Sequence, residues 1–273
     1  MEAPILEVKD LHISFRVGGD LLSAVEDVCF SLEAGKTLGI VGESGCGKSV
    51  TASSIMRLLP QNAVIGEQSQ ILFEGKNLAK LSQDEMCDIR GAKIAMIFQD
   101  PMTALNPVYT IGAQIIEMIR AHNKSISKHD AFEKGVEMLE KVGIPLPRQR
   151  MKEYPHQLSG GMKQRVGIAR AYTNSPQILL MDEPFGQLDA QTRYSMQEEV
   201  LRIWQSEKRT IIFVTNNIEE AVYLADRIVL LSNCPARVKQ VYDLSCLPRP
   251  RNFTDPEFLR IRQDISDNTD LAL

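Results

Sequence analysis

The segment Gly42-Glu43-Ser44-Gly45-Cys46-Gly47-Lys48-Ser49 constrains the fold more than any other stretch. It fits the pattern G-x-x-x-x-G-K-[ST] and lies between an apolar run and a helical stretch. The preceding run, Thr37-Leu38-Gly39-Ile40-Val41, is nearly continuous in apolar residues, as expected of a strand buried on both faces. A glycine-rich turn from such a strand into a helix opening near Lys48 curls successive N–H groups toward a phosphate and adds the positive end of the helix dipole. The residue types assign the remaining roles. Lys48 reaches β- and γ-phosphates, the Ser49 hydroxyl binds Mg²⁺, and the loop from Gly42 to Val50 lines the phosphates of a nucleotide.

The rest of the chain agrees with that nucleus. Short β-branched runs at 5–9, 24–32, 36–41, 93–98, 177–182, 210–215 and 227–232 alternate with helical patterns, which predicts an α/β fold with a mostly parallel central sheet. Between about 106 and 170 the pattern turns helical. Ile111, Ile115, Ile116 and Ile119 recur near helical spacing, and Ala131–Val142 is amphipathic, so this stretch reads as an inserted helical subdomain. Pro145 and Pro147 break the chain before Ser159-Gly160-Gly161 opens a helix through Ala171. Residues 1–245 read as one domain, and 246–273 as a short tail. The tail begins with the extended Leu247-Pro248-Arg249-Pro250-Arg251 and continues into a helix around 255–265.

With 44% hydrophobic and 24% charged residues over 273 positions, the chain has an ordinary folding composition. Its 31 basic against 35 acidic residues give a net charge of -4, which disfavours a general nucleic-acid binder. No apolar run approaches the roughly 18 residues of a membrane-spanning helix. The N-terminus lacks the basic and apolar regions of a secretory signal, so a cytosolic location is expected. Five cysteines without a CxxC pair (Cys29, Cys46, Cys87, Cys234, Cys246) fit reduced packing residues.

Two further segments carry chemistry. Asp182-Glu183 follows the buried run Ile178-Leu179-Leu180-Met181, at the carboxyl end of a strand where ligands bind in open α/β sheets. There Asp182 would hold Mg²⁺ and Glu183 act as general base on water, the alternative being an acidic helix cap. Leu158-Ser159-Gly160-Gly161-Met162 places a hydroxyl and free N–H groups at a helix start, the alternative being a plain N-cap.

With Gln99 after Phe98 and Asp189 in Gly186-Gln187-Leu188-Asp189, these motifs in this order resemble the ATP-binding subunits of ABC transporters, over about residues 5–245. The resemblance implies a nucleotide-hydrolase core with an antiparallel β edge subdomain and an inserted helical subdomain. It implies MgATP as ligand, and two subunits that sandwich ATP between the phosphate loop of one and the Ser159-Gly160-Gly161 segment of the other. Gln99 then touches Mg²⁺ or water, Asp189 belongs to the nucleotide site, and Phe15 stacks on adenine unless it is an ordinary strand-edge aromatic. Implied partners are transmembrane permease subunits, a second ATPase subunit and, indirectly, an extracytoplasmic solute-binding protein. The implied place is peripheral, on the cytoplasmic face of the cell (inner) membrane.

Phe98-Gln99-Asp100-Pro101-Met102-Thr103-Ala104-Leu105-Asn106-Pro107 is similar to peptide and nickel importer ATPases. Met181–Arg193, Glu220–Arg227 and the Pro-Arg-Pro-Arg tail are similar to nitrate, sulfonate and taurine importers. The competing reading is a non-transport ATPase of this kind in DNA repair or translation, which would need a long coiled-coil insert or tandem cassettes.

One position departs from the family. Most relatives carry a histidine after the fourth buried strand, and here Val214-Thr215-Asn216-Asn217 places Asn216 there. An amide can donate to a phosphate oxygen but carries no charge and shuttles no proton. This predicts weakened hydrolysis at the site built on this chain's own phosphate loop, and a heterodimer with a histidine-bearing partner. The alternative is a homodimer with two such sites.

Overall fold

The computed structural model describes residues 3–99, 105–186, 188–245 and 247–269. Asp100–Ala104, Gln187 and Cys246, which enter the sequence readings above, lie outside the described residues. The strands are β1 (Leu6–Val17), β2 (Asp20–Leu32), β3 (Thr37–Val41), β4 (Ala63–Ile65), β5 (Gln70–Phe73), β6 (Lys76–Asn77), β7 (Ile94–Ile97), β8 (Ile178–Asp182), β9 (Thr210–Thr215), β10 (Arg227–Leu231) and β11 (Val238–Asp243). The helices are α1 (Lys48–Ile55), α2 (Gln83–Ile89), α3 (Ile111–His122), α4 (Lys128–Lys141), α5 (Pro147–Arg150), α6 (Gly160–Tyr172), α7 (Ala190–Glu207), α8 (Ile218–Leu224) and α9 (Pro256–Asn268). The chain divides into two compact units, one of Met1–Met86 with Thr210–Leu273 and one of Cys87–Arg209.

The first unit holds two sheets. One is antiparallel in the order β2-β1-β5-β6, with β4 also pairing to β1. The sequence expectation for its first strand stops at residue 9 because the in-out alternation of Leu6 and Val8 fails at Asp10. The structure carries β1 on to Val17. Asp10 is an extra residue at φ 47°, and the register shifts between Val8 and Leu11, so Leu11 and Ile13 return to the buried face. Asp27 at φ 52° absorbs the compensating shift on β2.

The second sheet of this unit sets β10, β3 and β9 in parallel, with β11 antiparallel at the edge. Every residue of β3 and β9 is buried, which explains why these two strands are unbroken apolar runs. β4, β5, β6 and β11 were not expected from sequence. They are short, and β11 is mostly exposed, so little hydrophobic periodicity marks them.

In the second unit β7 and β8 pair in parallel, Ile94 opposite Ile178 and Ile97 opposite Met181. The predicted apolar stripe of α3 is buried through Ile111, Ile115 and Ile119, and α4 buries Ala131, Met138 and Leu139. Thr110 and Ser127 cap the two helices, accepting from the backbone N–H groups of Ala113 and Asp130.

Candidate nucleotide site

In the first unit the phosphate loop leaves the end of β3 and enters α1 at Lys48. The cap residue Gly47 makes no side-chain cap, and no acidic residue lies in the first turn of α1. Neither a side-chain cap nor a first-turn carboxylate therefore offsets the positive end of this helix. Lys48 is 3% exposed, and its ammonium donates to the Gly42 carbonyl at 2.9 Å and the Glu43 carbonyl at 2.5 Å. A buried cation satisfied by neutral oxygens beside an uncapped helix start fits a polyphosphate, which supplies the missing negative charge. Ser49 is half-buried in the first turn, and Glu43, Ser44, Gly45 and Val50 are at least partly exposed along the loop. Cys46 is 2% exposed, and burial pushes its thiol above the ordinary cysteine range, so it packs rather than reacts.

The loop is shaped from outside by two neighbours. A side chain at Gly47 would meet the Ala24 carbonyl of β2 at 2.9 Å and Ala236 at 3.0 Å. One at Gly42 would meet the Cys46 sulfur at 2.7 Å. Phe15 lies half-buried on β1, opposite Leu22 and Ala63, in the same hairpin whose Ala24 touches the loop. The β3–β9 register sets Val41 opposite Thr215, so Asn216, exposed at the end of β9, follows beside Gly42. Asn217 caps α8 by accepting from the Glu220 N–H at 3.1 Å. The nearest candidate for a missing imidazole in this unit, His12, is engaged elsewhere, with Asp27 at 3.1 Å and the Asp10 carbonyl.

In the second unit Asp182 ends β8 at 6% exposure, and Glu183 follows at φ 43°. That left-handed backbone turns Glu183 away from the strand line, and its carboxylate accepts a 2.7 Å hydrogen bond from the Gln99 amide. Two residues predicted separately, Gln99 and Glu183, are thus brought together.

Ser159 caps α6 by accepting from the Met162 N–H, and Asp189 caps α7 by accepting from the Thr192 N–H at 3.0 Å. The Thr192 amide holds the Asp189 carboxyl below the ordinary range. A side chain at Gly161 would meet Thr192 at 3.2 Å, so the starts of the two helices adjoin, and Gly160 faces open space.

Two supporting residues escaped sequence reasoning. Gln164 is 2% exposed and its amide donates to the Pro184 carbonyl, tying α6 to the turn after Glu183. Arg193 donates to the Phe185 and Leu188 carbonyls and braces the segment leading to Asp189. Gln164 had one available signal, a polar residue on the helical face shared with Ile168 and Ala171.

The model of the ABC transporter family matches residues 25–186. The oligopeptide transport ATP-binding protein OppD of Bacillus subtilis is 46% identical over 227 residues, 83% of this chain and 63% of that protein. The dipeptide transport ATP-binding protein DppD of the same organism is 46% identical over 231 residues, 83% of this chain and 68% of that protein. The chain thus spans about two thirds of the length of these relatives. Among solved structures, the dimeric bacterial ABC transporter cassette MJ0796 superposes with TM-score 0.76 at 26% identity, over 88% of this chain and 98% of that one. A post-hydrolysis dimer of the same cassette, bound to ADP and Pi, superposes equally well at 25% identity.

Proposed function

The chain belongs to the ABC transporter family and has the fold of its ATPase cassette, and from that premise we propose that it is the ATP-binding and hydrolysing subunit of a solute importer. The observation that carries this reading is Lys48, a buried cation with carbonyl partners at the uncapped start of α1. Lys48 and the loop N–H groups bind the β- and γ-phosphates, and Phe15 stacks on the base. Ser49, Asp182 and Gln99 would hold Mg²⁺, which supplies charge neutralisation on the phosphate oxygens. Glu183 accepts the proton of the attacking water at its carboxylate, and Gln99 orients that carboxylate. Ser159, Gly160, Gly161 and Asp189 serve the facing subunit's nucleotide in a closed dimer, in keeping with the dimeric cassettes it resembles.

The relatives' names favour a peptide-class solute. Partners follow from the same reading: permease subunits, a second ATPase subunit and, through the permease, a solute-binding protein. No described helix is long and apolar enough to cross a membrane, so attachment at the cytoplasmic face would run through the permease. Asn216 in place of a histidine gives this chain's own site slow turnover, which favours a heterodimer.

The test is MgATP binding and hydrolysis by the purified full chain and by the transporter recovered from membranes. Lys48→Ala should abolish binding. Glu183→Gln should bind normally and lose about a hundredfold or more in turnover. Wild-type turnover in Glu183→Gln overturns the assignment of the base, and unimpaired ATP binding in Lys48→Ala overturns the site.

A further inference from the structure

The segment after β11 closes on α8. This helix has only seven residues, too few to persist unaided, yet it leads directly from Asn216 and Asn217. Its start is secured by the Asn217 cap and by Glu219 and Glu220 in the first turn. At its end the Ala225 N–H closes only on the Ala221 carbonyl, and the Val222, Leu224 and Ala225 carbonyls are met from the tail. Arg251, 7% exposed, donates to the Val222 and Ala225 carbonyls at 2.5 Å each and to the Leu244 carbonyl at 2.8 Å. Arg249 donates to the Leu224 carbonyl at 2.7 Å and pairs with Asp226 at 3.1 Å. The other Asp226 oxygen accepts from the Thr37 N–H, where β3 begins.

The rest of the tail continues the contact. Phe253 stacks on Tyr223 with ring centroids 4.7 Å apart, and Phe258 of α9 meets Phe253 edge-on. Arg262 of α9 pairs with Glu219 at 2.5 Å, while Phe258, Ile261 and Ile265 are buried. Two guanidiniums at the negative end of a helix are favourable on charge alone, and the planar fork of Arg251 reaches three carbonyls that an ammonium cannot reach together.

We propose that residues 248–268 form a strap that fixes α8, and that Arg251 is a positioning residue holding Asn216 where its amide meets the γ-phosphate. The proposal rests on the reading of Asn216 given above. Thr215 is pinned against Val41 by the sheet and the C-terminal end of α8 is pinned by Arg251, so Asn216 is held from both sides. A strap serving stability alone would weaken all nucleotides alike. A positioning strap affects only the nucleotide that carries a γ-phosphate.

The experiment measures MgATP and MgADP affinities of the full chain for wild type, Asn216→Ala, Arg251→Gln and the double variant, with thermal unfolding alongside. Asn216→Ala should lower the preference for ATP over ADP by about tenfold, the worth of a hydrogen bond to a charged group. Arg251→Gln should lower the preference by a similar factor with ADP affinity held, and the double variant should lose no more than Asn216→Ala alone. Equal weakening of ATP and ADP, no change in either, or independent addition of the two effects overturns the strap. If Arg251→Gln does not fold, Arg249→Gln, whose side chain is 21% exposed, is judged by the same criteria. An unchanged preference in Asn216→Ala overturns the γ-phosphate reading itself, whereas an effect there without one at Arg251 overturns only the strap.

Discussion

Replacing Gly47 by alanine tests whether the phosphate loop is held in place by its neighbours or only by its own backbone. Gly47 sits at φ 112°, where an L residue is strained, and its new Cβ would lie 2.9 Å from the Ala24 carbonyl and 3.0 Å from Ala236. The Ala24 carbonyl cannot yield cheaply, because it accepts the Ala236 N–H at 2.9 Å. Backbone strain of about 1–3 kcal/mol and overpacking of about 1–3 kcal/mol add to about 2–6 kcal/mol. Gly45 is the internal control. It has φ 79° but open space around its Cβ, so Gly45→Ala incurs only strain, about 1–2 kcal/mol.

Thermal unfolding followed by circular dichroism reads the difference. At about 2–4 °C per kcal/mol, Gly47→Ala should lower Tm by about 4–24 °C and Gly45→Ala by about 2–8 °C. Equal shifts would mean that the seam with Ala24 and Ala236 contributes nothing and that φ alone governs the loop.

Two other outcomes are expected. Asn216→His in the purified transporter should raise ATP turnover by about tenfold or more by restoring an imidazole, and no gain in rate would sink the idea that Asn216 limits it. Burial, aided by a hydrogen bond to Asp264, pushes the Tyr242 phenol up to about 12, so the folded chain keeps a proton that the unfolded chain releases near pH 10. Its contribution to stability is therefore complete below pH 10 and falls as pH rises toward 12. Phenolate absorbance and unfolding midpoints of wild type against Tyr242→Phe read this directly, and a Tyr242 that ionises near pH 10 refutes it.

The parts of the site that were legible in sequence are those whose chemistry is written in consecutive residues. The phosphate loop is one, because the turn, the lysine and the helix start must follow one another within a few residues. Asp182-Glu183 is another, since the four apolar residues Ile178-Leu179-Leu180-Met181, all buried in the structure, announce where the carboxyl end of the strand falls. The extension of β1 beyond Asp10 was not legible. A bulge inverts the alternation on which strand reading depends, and only pairing with β2 and β4 shows that the strand resumes. The Gln99–Glu183 hydrogen bond joins residues 84 positions apart, and no local pattern records it.

The sequence by itself determined the family and the fold class and pointed to the chemistry proposed for the loop, because each rests on short-range spacing. Only the tertiary structure decided what holds that chemistry in place. Ala24 and Ala236 walling Gly47, Gln164 on Pro184, and the two arginines closing α8 are contacts between distant segments. The physical reason is that a buried carbonyl or a helix end must be satisfied by some partner, but nothing in its own neighbourhood specifies which. Pro248-Arg249-Pro250-Arg251 reads in sequence as a connector, and becomes a cap only when the fold lays it against the open end of a seven-residue helix.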